Sequence, residues 1–144
     1  MSPILLGNQT LGICGFDFDN KTAFFGTDVL LLLISLNVNF EIDVGLHRGG
    51  FTQMQNLASA VKAAKYNSQL KITGLMGYEA HIGKMPSILN MQQRAWDSMQ
   101  ATYQQALAVL EKEGYDPAQL TLNSGGSPTY TLHTQRPTPI IDLV

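Results

Sequence analysis

The sequence contains one cysteine, Cys14, and only 14% of its residues carry charge. A lone thiol excludes an intramolecular disulfide framework and a cysteine-rich zinc site, so a reducing compartment is expected, the cytosol first. Runs of Lys and Arg are missing, and nine basic residues against eleven acidic ones leave a net charge of -2. Such a chain has no electrostatic footprint for nucleic acid or for an anionic lipid surface. Long apolar runs are missing as well. The most apolar stretch, residues 29–36, is far shorter than the roughly 20 residues that cross a bilayer, and no basic segment precedes a cleavage site at the N-terminus. Neither a membrane partner nor a targeting segment is expected, and the sequons at Asn8 and Asn20 carry no weight in a chain that is not secreted. Two phosphate-binding signatures are also lacking. No GxGxxG occurs, and residues 77–84 place five residues between their glycines and Met85 after the lysine, which is not a P-loop.

What is present is a chain of 144 residues, 44% apolar, about one ordinary domain in length and small for a complete barrel. Residues 1–38 form an atypical opening segment. Gly7, Gly12, Gly15 and Gly26 are scattered through it, and VLLLLISL (29–36) reads equally as a buried strand or a short buried helix. From residue 39 onward the pattern is regular. Phe40, Ile42 and Val44 alternate with Glu41 and Asp43 as a strand, and glycines end it. Thr52 and Gln55 have the spacing of a capping box, and Met54, Leu57, Val61 and Ala64 recur at helical spacing. KITGLM (71–76) reads as a second strand and residues 77–86 as a loop. Ser87 is the expected cap of a long helix that Gly114 closes, with a core stripe of Leu89, Trp96, Met99, Tyr103, Leu107 and Leu110. AQLTLN (118–123) gives a third strand, and SGGSPTY follows it. Strands alternating with helices in this way predict parallel α/β units joined by right-handed crossovers.

In such units the loops leaving the C-terminal ends of the strands converge on one face, where ligands bind. Residues 45–50, 77–81 and 123–127 should therefore be neighbours, and a second loop of about ten residues is long for a mere connection. Ser124, Gly125, Gly126, Ser127 and Thr129 offer backbone N–H groups and hydroxyls that suit a phosphate, although an ordinary turn has the same composition. Arg48 brings a permanent charge and a planar donor fork, and Tyr78 and His81 bring flat rings. A flat, anionic ring compound matches that set. Glu41 and Asp43 could suggest an acid–base pair, but two residues apart on one strand they are also placed to line a polar barrel interior or to orient Arg48. His47 is read as a supporting residue and His133, in a polar tail, as exposed.

EIDVGLHRGGF, GLMGYEAH and LNSGGSPTY, in that order and with helix-sized gaps, resemble the D-threonine aldolase and D-serine dehydratase-like branch of the alanine racemase N-terminal-domain family. The resemblance implies a pyridoxal-phosphate (fold type III) enzyme of the lyase or isomerase kind, in amino-acid metabolism. Its fold would be α/β, here a partial (β/α) TIM-type barrel over residues 39–144 with parallel strands alternating with helices. It also implies that Arg48 sits near the cofactor's phenolic oxygen, that His81 and Tyr78 lie beside its ring, and that Ser124, Gly125, Gly126, Ser127 and Thr129 form its phosphate loop. The substrate would be a D-amino acid or a 3-hydroxy amino acid.

Several positions depart from the family pattern. Pro128 removes one N–H donor from the phosphate loop, and Gly49 stands where the family has cysteine. The Schiff-base lysine lies in a Pro-His-x-Lys-like context that residues 1–38 do not contain, since Lys21 is flanked by Asn20 and Thr22. No catalytic residue is assigned, and no metal site is implied, because the metal ligands belong to a second domain. The resulting expectation is a fragment, inactive alone for want of that lysine, which associates with itself through exposed barrel edges. A non-catalytic small α/β binding or interaction module is the alternative.

Overall fold

The computed structural model describes residues 5–6, 9–10, 35–86, 90–136 and 142–143. Its elements in chain order are β1 (Leu5–Leu6), β2 (Gln9–Thr10), β3 (Leu36–Glu41), α1 (Met54–Lys65), β4 (Leu70–Met76), α2 (Met91–Lys112), β5 (Thr121–Ser124), α3 (Tyr130–Gln135) and β6 (Asp142–Leu143). Strands β1 and β2 pair antiparallel with each other. The main sheet runs β3-β4-β5-β6, and every pairing in it is parallel. Consecutive strands that are also spatial neighbours, with a helix after each of the first three, are the repeating unit of an α/β barrel.

Alternation along β3 decides which face the helices cover. Val38, Phe40, Ile42 and Val44 are buried, as are Ile72 and Leu75 of β4 and Leu122 of β5. Against them α1 presents Leu57, Ala60, Val61 and Ala64, and α2 presents Trp96, Met99, Tyr103, Ala106 and Leu110. The α2 positions recur three and four residues apart, which aligns them on one stripe. Each large side chain fully buried there contributes roughly 1.5–3 kcal/mol. On the opposite face of the sheet Thr73 Oγ1 donates to Asn39 Oδ1 at 2.9 Å, so a polar side chain there finds its partner on the neighbouring strand.

The register of β3 against β4 slips between Val38 and Asn39, which leaves Thr73 unmatched in the ladder. Gly74 follows at once. A Cβ on it would lie 1.9 Å from the Thr121 carbonyl oxygen of β5, so only glycine allows the β4–β5 approach.

Helix starts depart from the sequence expectation. The N-cap of α1 is Gln53, without a side-chain cap, and the Thr52–Gln55 box does not form. Phe51 is drawn into a bridge with Ile42, and its N–H donates to Glu41 O at 2.8 Å, so the chain leaves the sheet too late for Thr52 to cap. Helix α2 starts from Asn90 in the left-handed region. Ser87 and Leu89 lie outside the described residues. The close of α2 matches the reading at Gly114, where Tyr115 N–H donates to Leu110 O and Gly114 N–H to Glu111 O, the paired bonds of a Schellman motif.

Candidate functional site

The strand ends bring the three sequence motifs together, and the second loop is the hinge of the arrangement. Tyr78 and Glu79 follow the end of β4 after Gly77. The Arg48 guanidinium stands over the Tyr78 ring, 4.5 Å from its centroid, while Glu79 reaches the loop after β5. Arg48 Nη2 also donates, at the long limit of 3.5 Å, to Glu41 Oε1 on β3. Glu41 is buried and Arg48 about half exposed, so one terminal nitrogen of the fork is held by Glu41 while the rest of the side chain stays partly open to solvent. Glu41, Asp43, Leu46, Arg48, Gly49 and Tyr78 border a shallow surface depression with no enclosed volume.

Asp43 serves His47 instead of Arg48. Its Oδ1 accepts from the N–H groups of Gly45 and His47, and its Oδ2 lies 2.6 Å from His47 Nδ1. That grip holds His47 at φ 56, a left-handed conformation that histidine adopts more readily than most residues. Burial would raise the Asp43 carboxyl, but the bonds from His47 and Gly45 outweigh it and hold it below the ordinary range. His81 packs beside Gly45, with Nε2 3.2 Å from where a Cβ would stand, and its Nδ1 has no partner among the described residues. Burial pushes the His81 imidazole below its usual value, against the pull of the Glu79 and Asp43 charges; His47 pushes it further down.

Glu79 is the most tightly held group of the site, and its side chain is fully buried. Oε2 accepts from Ser124 Oγ at 2.7 Å and Gly125 N–H at 3.1 Å. Oε1 accepts from Thr129 Oγ1 at 2.7 Å and His133 Nε2 at 2.9 Å. Four donors fill the about four acceptor sites of a carboxylate. Burial alone would raise this carboxyl; the bonds from His133, Ser124, Thr129 and Gly125 hold it down, at about 2. Gly126 completes the loop beneath Tyr78, whose Cε2 would lie 2.8 Å from a Cβ there. Ser127 precedes Pro128, whose carbonyl backs onto Gly83 of the second loop.

Sequence reasoning passed over Glu79, because an acid in a loop is ordinarily solvated, and it misplaced His133. That histidine is buried on α3, and its ring lies 4.7 Å from Trp96. Its spacing of four from Thr129 was the available signal, since a helix puts the two on one side.

The alanine racemase N-terminal domain family matches residues 32–144. This chain belongs to that family. Solved structures of similar fold include alanine racemase from Bacillus anthracis with bound L-Ala-P, at TM-score 0.55 and 18% identity over 74% of this chain and 24% of that one. Alanine racemase from E. faecalis is comparable, at TM-score 0.56 and 17% identity over 76% of this chain and 26% of that one. The chain thus spans about a quarter of the length of those relatives. No curated protein matches it. The family fold is a TIM-type barrel, of which the β3–β6 sheet and its helices are a part.

Members of the family use pyridoxal phosphate. Arg48 over Tyr78 offers a charge and a flat surface of the kind such a ring needs, while His81 stands beside Gly45 and does not border the depression. The phosphate end does not fit as it stands, because Ser124 Oγ, Gly125 N–H and Thr129 Oγ1 all point at Glu79. Among the described lysines, Lys71 lies toward the start of β4, Lys62 and Lys65 on α1, Lys112 at the end of α2, and Lys84 exposed on the turn after His81. None of them is buried. No group of described residues could hold a metal ion.

Proposed function

We propose that this chain is a barrel segment of a pyridoxal-phosphate enzyme of the D-threonine aldolase and D-serine dehydratase-like branch. In a complete enzyme the site would handle a D-amino acid or a 3-hydroxy amino acid; the chain by itself does not turn one over. The convergence of the three motif loops supports the reading. Tyr78 meets Arg48 of the first loop, and the adjacent Glu79 meets Ser124, Gly125 and Thr129 of the third. Arg48, with its half-exposed fork, would orient an anionic oxygen, and the burial that disfavours charge on His81 would keep that ring a neutral packing surface. Turnover of an amino acid on pyridoxal phosphate needs a lysine amine in the site, and the described lysines supply none from the protein interior. Activity would therefore depend on an amine from elsewhere.

A non-catalytic α/β module is the second reading, favoured by the saturation of Glu79. Intact-mass analysis after incubation with pyridoxal phosphate and borohydride reduction, followed by peptide mapping, separates the two states of the site. The expected result is no stoichiometric adduct and only scattered lysine labelling, the same in Arg48→Ala. A single adduct on one lysine, lost in Arg48→Ala, would overturn the claim that the isolated chain lacks a working site.

A further inference from the structure

Two hydroxyls, one backbone N–H and one ring N–H converge on the two oxygens of Glu79 from positions 45 to 54 residues away in the chain. We propose that the 124–129 loop, with His133, is an oxyanion cradle whose occupant is the chain's own Glu79 carboxylate, and that it accepts a free oxyanion only when that side chain is removed.

The donors make the case. Hydroxyl bonds of 2.7 Å reach both oxygens, a distance at the upper edge of the charge-assisted range. His133 contributes nothing else through its ring nitrogens among the described residues, since its buried Nδ1 has no partner there. A carboxylate with no solvent exposure is stable only where its surroundings supply such a set of donors. The set is indifferent to the covalent origin of the oxygens, because phosphate and sulfate oxygens accept the same bonds. Occupancy by Glu79 also shuts the cradle to any other anion, since the carboxylate keeps its charge throughout the neutral range and repels a second one. Tyr78 closes the near side, its ring against Gly126, so the loop cannot shift to make room beside Glu79 without losing that contact.

The probe is inorganic phosphate, which has neither ring nor aldehyde. Its outcome is independent of lysine labelling, and the failure of either reading leaves the other standing. The full chain, Glu79→Ala, and the double variant Glu79→Ala with Ser124→Ala are titrated with phosphate against chloride of equal ionic strength. Calorimetry reads binding, and the Gly125 amide resonance reads its place. The unaltered chain should show no saturable binding and a stationary Gly125 amide. Glu79→Ala should bind phosphate saturably and move that amide, and the double variant should bind roughly tenfold more weakly, about 1.4 kcal/mol. Saturable binding at Gly125 in the unaltered chain overturns the proposal, as does a folded Glu79→Ala that ignores phosphate. If Glu79→Ala is unfolded in chloride, recovery of its native spectrum in phosphate supports the proposal, and failure in both salts overturns it.

Discussion

Glu79 releases its proton near 4.5 when unfolded and at about 2 when folded. A depressed folded value means that the contribution is complete above 4.5 and fades as the pH falls through 2. Integrated over that window, it is on the order of 3 kcal/mol. Urea denaturation at stepped pH should show stability falling across this range in the unaltered chain and a flatter acid limb in Glu79→Gln. The variant should also be less stable at neutral pH by roughly 3–5 kcal/mol, because its amide N–H faces donors instead of accepting from them. An identical acid limb in both chains would remove Glu79 from that role. The sequence singled out Arg48 after its strand and Tyr78 in the second loop, and the structure brings these two together. Residue chemistry was illegible at Glu79 and His133, whose burial depends on partners more than forty residues distant.

At the level of elements, Gly74 carries more of the architecture than its size suggests. In Gly74→Ala the new methyl would collide with the Thr121 carbonyl, and either β5 must move or the pairing is lost, at roughly 3 kcal/mol or more. The expected outcome is a thermal transition lowered or lost, with slow-exchanging amides disappearing from residues 121–124; retention of both would mean that the strands part easily. Strand β4 and the α2 stripe were readable because alternation and helical spacing are local properties, whereas the third strand opens at Thr121 and not at Ala118, because Asp116 caps a 3-10 turn over Pro117–Gln119. The start of α1 was not readable, since the Phe51–Ile42 bridge is a tertiary contact that overrides the capping preference of Thr52. The first long strand begins at Leu36, ahead of the expected start at residue 39; Leu36, Asn37, Val38 and Asn39 already alternate apolar with polar and pair with β4, but the apolar run that precedes them hides where the strand opens.

Across the whole molecule, the parallel sheet closes on neither side among the described residues: β3 is paired through β4 alone, and β6 through β5 alone. Unpaired strand edges are templates for a further strand. Sedimentation over a range of concentrations should give a mass that rises above one chain as the solution is concentrated, and a constant single-chain mass would show that both edges are covered. No helix among the described residues is long and apolar enough to cross a membrane. One contact joins the large helix, the small helix and the second loop. Trp96, the only tryptophan, has the His133 ring 4.7 Å from its own and the Arg136 guanidinium 5.2 Å away on α3's outgoing chain. Histidine in turn bonds Glu79. The protein therefore carries its own fluorophore one imidazole away from the buried acid, and the emission of a single indole reports, without any label, whether that acid is in place.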